Sequence, residues 1–98
     1  MIRWSKRGSL RRTAIVKHIA KECCDWQTAW GWEDAVFKAT APLDRFPFSG
    51  RIVPEIGRED IREVLCGDYR IIYRVRRNTP EIISVRHGHR LIRSEKSL

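Results

Sequence analysis

At 98 residues the chain is long enough for one core and too short for a multi-domain scheme, so residues 1–98 read as a single domain. The 20 Lys and Arg against 12 Asp and Glu leave a formal net charge of +8 and a pI near 10.1, which directs the protein to an acidic or polyanionic partner. No apolar run is long enough to cross a bilayer and the opening MIRWSKRGSL lacks an apolar secretion core, so a cytoplasmic protein with no membrane partner is expected.

The first element is a short strand, Ile2-Arg3-Trp4-Ser5, which alternates apolar and polar residues and runs into a basic turn at Lys6-Arg7-Gly8. Ser9 is a suitable cap for a first helix whose apolar positions Ile15, Ile19 and Cys23 recur at helical spacing, while Arg11, Arg12, Lys17 and Lys21 cover the other side. Asp25 or Thr28 caps a second helix carrying Trp32, Val36 and Ala39. The short interval makes the pair an antiparallel hairpin, and Pro42 ends or bends its second arm. Trp26, Trp30 and Trp32 are expected in the core. The three cysteines, two of them adjacent at Cys23-Cys24, form no disulfide framework and read as reduced, buried small hydrophobes.

Residues 45–51 combine Pro, Ser and Gly and form a connection, after which Ile52-Val53-Pro54-Glu55 is at most an edge strand. From Arg62 to Arg90 three strands follow one another. Gly67-Asp68 is a two-residue hairpin loop that sets Cys66 against Tyr69, Val64 against Ile71 and Arg62 against Tyr73. A second turn at Arg77-Asn78-Thr79 leads into a strand opened by Pro80, and the register that keeps the apolar groups together places Ile83 opposite Tyr73 and Val85 opposite Ile71. Arg86 then lies beside Arg70. The order implies an α+β fold: an N-terminal strand, an antiparallel two-helix hairpin, and a mainly antiparallel twisted sheet whose second face stays open and carries Arg70, Arg74 and Arg86.

Two arginines across a ladder repel, at a cost of a few tenths of a kcal/mol or more. Two readings follow. The pair is a solvated basic face, with Arg70 bonded diagonally to Glu63 and Glu55 capping the loop after it; or it is an anion site, because guanidinium forks match phosphate geometry. His87 and His89 share strand parity without a third ligand at recognisable spacing, so no metal and no other cofactor is expected.

The set Leu43, Pro47, Gly50-Arg51, Arg62-Glu63, Tyr69-Arg70-Ile71-Ile72-Tyr73 and Val85-Arg86-His87-Gly88-His89-Arg90 resembles the RelE/ParE superfamily of bacterial toxins over nearly the whole chain. The resemblance implies the toxin of a type II toxin-antitoxin pair, masked by a cognate acidic antitoxin. Two activities occur in that superfamily: ParE-like members poison DNA gyrase, and RelE-like members cleave messenger RNA in the ribosome. Under the RelE-like reading Arg70 and Arg86 hold phosphate, His87 or His89 supplies acid or base, and Glu55 is a base. The lysine pair and the following tyrosine of some RelE-like members are missing here, and the His-Gly-x-Arg ending inclines the reading toward gyrase inhibition. Arg62, Arg74 and Arg90 are then target-binding groups, along with the helical hairpin and the basic segment 90–96. A basic nucleic-acid-binding module without toxicity is the third alternative.

Overall fold

The computed structural model describes residues 2–94 and Leu98. The elements are β1 (Arg3–Trp4), α1 (Lys6–Cys23), α2 (Trp26–Thr40), a 3-10 turn (Ala41–Asp44), β2 (Arg51–Ile52), β3 (Ile61–Cys66), β4 (Tyr69–Arg76) and β5 (Thr79–His87). The sheet order is β1-β5-β4-β3-β2, antiparallel except where β1 runs parallel to β5.

Helix α1 begins one turn before the expected Ser9 cap. The Ser5 hydroxyl accepts from the Gly8 N–H at 2.9 Å and fixes the start, so the basic turn Lys6-Arg7-Gly8 is the helix's first turn. Gly8 is required there because a Cβ would lie 2.7 Å from the Ile82 carbonyl oxygen of β5. Cys24, left-handed at φ 51°, closes α1, and Asp25 caps α2 through the Gln27 N–H and the Thr28 hydroxyl. Pro42 converts the end of α2 into the 3-10 turn, which still delivers Leu43 to the core.

The helical hairpin covers one sheet face. Val36 and Leu43 pack with Ile71, Tyr73, Val75, Ile82 and Val85, and Trp32 flanks them. Trp26 and Trp30 are not core, contrary to expectation: they are 52% and 57% exposed and lean on each other at 6.1 Å on the solvent side of α2. Cys23 and Cys24 are likewise exposed rather than buried, and Cys66 is half-buried.

Hairpin β3–β4 has the expected register, with Cys66 opposite Tyr69, Val64 opposite Ile71 and Arg62 opposite Tyr73. The second turn contains two residues rather than three, Arg77 and Asn78, both left-handed. In β4–β5 Val85 faces Ile71 and Arg86 faces Arg70, as the sequence predicts, but Ile82 and not Ile83 faces Tyr73. A bulge between these pairs absorbs one residue, which lets Ile82 join the helix-covered core while Ile83 packs on the opposite side.

That opposite side is not open. Consecutive Ile71 and Ile72 point to opposite faces, and Ile72 with Ile61 is buried under Val53 of the β2–β3 loop and Ile92 and Leu98 of the C-terminal segment. The last part of the predicted basic segment 90–96, Glu95 and Lys96, lies outside the described residues.

Gly50 joins the two layers. Its N–H donates to the Tyr73 hydroxyl at 2.9 Å, and a Cβ would come within 2.5 Å of that oxygen and 2.7 Å of the Glu63 carbonyl oxygen. Gly50→Ala is expected to lower stability by about 1–3 kcal/mol through overpacking, and Tyr73→Phe by about 1 kcal/mol through the orphaned donor. Urea unfolding would register both as a lower midpoint at unchanged slope.

Candidate functional site

Strand parity sends the Arg70 side chain of β4 to the face away from the helices, where the second core closes over it and leaves it 6% exposed. A guanidinium so placed must be paired, because an unpaired buried charge is prohibitively costly. Its Nε donates to Glu63 Oε1 on β3 at 2.7 Å, and its two terminal nitrogens fork onto Glu55 at 2.6 and 2.8 Å. The Arg90 carbonyl accepts a further bond from Arg70 at 3.3 Å. Glu63, fully buried, also pairs with Arg51 of β2, and Glu55 accepts the Ile92 N–H at 3.2 Å. Two cations and two anions therefore close on each other and tie β2, the β2–β3 loop, the sheet and the C-terminal segment together. The diagonal Arg70–Glu63 bond is present; Glu55 caps no loop but clamps Arg70.

Electrostatics follow from this geometry. The Arg70 fork holds the Glu55 carboxyl down at about 2 against an ordinary 4.5, and the Ile92 N–H adds to the effect while burial opposes it. Arg70 is itself pushed above its ordinary range, first by Glu55 and then by Glu63. Glu55 is thus an ionised hydrogen-bond acceptor with its oxygens engaged, a poor arrangement for taking a proton from a hydroxyl.

The other predicted residues separate into two groups. Arg86, His87, His89 and Arg90 gather with Arg70 at the hairpin end of the sheet, where the Gly88 N–H meets the Asp68 carbonyl at 2.6 Å. The His87 ring packs edge-on against Tyr69 at 5.4 Å and beside His89 at 4.9 Å. Arg62 and Arg74 lie elsewhere. Arg62 donates to the carbonyls of Phe48, Gly50 and Glu59 and lies over the Phe48 ring at 5.1 Å, stapling the connection to the sheet. Arg74 stands directly opposite Glu81 in the ladder, in the second pair beyond the bulge. Sequence reasoning does not select Arg51 as a site residue, although its partner Glu63 is adjacent across the β2–β3 ladder, because a two-residue edge strand gives almost no alternation to read.

The clamp makes a pH prediction. Because the folded value for Glu55 lies below the ordinary one, its stabilisation is complete above about pH 4.5 and is lost as pH falls toward 2. Glu55→Gln is expected to cost on the order of 3 kcal/mol at pH 7. In denaturant titrations the gap between wild type and variant should narrow steadily between pH 4.5 and pH 2.

Comparison with known proteins agrees with this architecture. A search of curated proteins finds no significant match in sequence. Among solved structures, one described as the chromosomal ParDE TA system from P. aeruginosa superposes with a TM-score of 0.72 at 15% identity, covering 88% of this chain and 92% of that one, a likeness of fold. No helix among the described residues is long and apolar enough to cross a membrane. Residues 2–92 match the family described as the ParE toxin of the type II toxin-antitoxin system parDE, and with nearly the whole chain inside the match, this protein belongs to that toxin family and has a cognate antitoxin as its partner.

Proposed function

We propose that this toxin acts by binding DNA gyrase and blocking it, without cleaving RNA, and that its antitoxin neutralises it through an acidic segment laid on the basic surface. The observation that carries this reading is the closed Arg70 clamp. A ribonuclease of this superfamily needs a cation on the scissile phosphate and a base for the 2′-hydroxyl, and here the two groups at those positions, Arg70 and Glu55, are bonded to each other. Opening the clamp to admit a phosphate would break a buried ion pair, at about 3–5 kcal/mol. Membership of the ParE family supports the same direction.

Binding to a large partner needs exposed anchors rather than a reactive pocket, and the surface supplies them. Trp26 and Trp30 on α2, Phe46 and Phe48 after it, and Leu91 beyond β5 are all exposed, and large aromatics dominate binding energy at protein interfaces.

Two assays on the purified protein separate the activities. Gyrase supercoiling is expected to fall in its presence and to recover with antitoxin, while ribosome-bound message stays intact. Cleavage of that message, lost in Arg86→Ala with the fold retained and accompanied by normal supercoiling, would establish the nuclease reading instead. Target binding should also weaken as salt rises from about 0.05 to 0.5 M, since exposed charges are screened over this range.

A further inference from the structure

Trp26, Trp30 and Phe37 fall on one line of α2, because steps of four, seven and eleven residues return to the same side of a helix. They are 52%, 57% and 43% exposed, so the line is an aromatic ridge that the chain itself leaves uncovered. The ridge is held in place along its length. Trp26 leans on Trp30, and Phe37 meets the Trp4 ring edge-on at 6.2 Å with the Arg12 guanidinium over both rings. At the Phe37 end it opens into a cavity of about 550 Å³ between β1 and the end of α2, walled by Ile2, Trp4, Phe37 and Ala41, with Arg12 and Asp44 as its charged members. Trp26 stands at the other end, about 16 Å away along the helix.

Charge restricts what can settle on this face. The ridge is close to neutral, because Glu33 is matched by Arg12 at 3.4 Å and Asp34 by Lys38 at 2.9 Å. A polyanion or an acidic segment is drawn instead to the arginine-rich faces. The occupant has to be apolar, near neutral, long enough to follow the helix and equipped with a large side chain for the cavity. The ridge itself meets all four conditions. With a projecting ring at one end and a cavity at the other, it is complementary to its own copy turned antiparallel, since a two-fold axis across the middle of α2 brings each Trp26 to the cavity of the other chain.

We propose that two copies of this chain pair through α2 about such an axis, the Trp26 indole of each entering the cavity beside Phe37 of the other. There it joins the Trp4 and Phe37 rings and the Arg12 guanidinium. Three half-exposed rings fall short of the roughly 800 Å² per partner that a stable interface buries, so the dimer is weak, with a Kd on the order of 10 µM. Pairing is a property of the toxin alone, so it goes beyond the gyrase reading and stands without it.

Sedimentation velocity of the purified toxin, with neither antitoxin nor target added, tests this at concentrations from well below to well above that Kd. Salt at about 0.3 M screens the repulsion between two chains of net charge +8. The mass is expected to rise from 11.6 kDa to twice that value and no further. Trp26→Ala removes the ring and Ala41→Arg blocks the cavity, and each is expected to weaken pairing at least about tenfold. Phe48→Ala, which removes an exposed ring beside β2 at the far edge of the sheet, is expected to change it less than about threefold. Trp26 and Ala41 are both exposed, so both variants should melt with the wild type. An equimolar mixture of Trp26→Ala with Ala41→Arg restores one of the two ring-and-cavity contacts and is expected to pair more tightly than either variant alone. A monomer at every concentration, a mass that climbs past the dimer, unchanged pairing in Trp26→Ala, equal weakening by Phe48→Ala, or no recovery on mixing would overturn the proposal.

Discussion

A buried guanidinium gripped by two carboxylates organises half of this molecule. Strand β4 must bury both faces, because Ile71, Tyr73 and Val75 serve the helical hairpin while Ile72 needs cover on the other side. Arg70 shares that second face and can be buried only with its charge matched. Glu63 comes from the adjacent strand, but Glu55 is carried by the loop between β2 and β3, and its second contact is the Ile92 N–H. Satisfying one arginine therefore draws a loop and the C-terminal segment over the sheet, and these deliver Val53 and Ile92 to the second core. Such a cluster need not stabilise the fold more than an apolar one would; breaking it is what costs.

The clamp also decides where the excess charge is available. Several arginines are absorbed by the fold: Arg70 and Arg51 in the clamp, Arg62 on three carbonyls, and Arg12 between Glu33 and the Trp4 and Phe37 rings at 4.4 and 5.0 Å. Of the rest, Arg11, Arg86 and Arg90 gather between α1 and the end of β5, while Arg76 and Arg77 stand exposed at the opposite hairpin end. A toxin that meets its antitoxin thus presents more than one basic patch, with exposed aromatic side chains on α2 and the segment after it.

Much of this was legible from the residues. Gly67-Asp68 between two β-type runs set the β3–β4 register, the apolar match of Val85 with Ile71 placed Arg86 beside Arg70, and Asp25 marked the start of α2. The failures share a cause, which is competition between local signals and tertiary fit. Ser5 outcompetes Ser9 as a cap because Gly8 allows α1 to begin directly against Ile82, and the consequence was a hidden Arg7–Arg11 pair. The bulge at Ile83 follows from two cores each demanding an isoleucine, a demand no single-face pattern reveals. Trp26 and Trp30 read as core on size alone, and their exposure reflects a helix face left with nothing to pack on. Glu55 could be noticed as a candidate, but its fork on Arg70 depends on a loop path that residue spacing does not encode.

The most direct measurement is a double-mutant cycle between Arg70 and Glu55, using Arg70→Met, Glu55→Leu and the pair, followed by denaturant unfolding at neutral pH. If the arginine is held as a structural clamp, each single change destabilises strongly, the double change recovers much of the loss, and the coupling exceeds about 1.5 kcal/mol. A coupling near zero, with Arg70→Met as stable as wild type, would show that this guanidinium is not committed to the fold and would contradict its role as the clamp between the two layers.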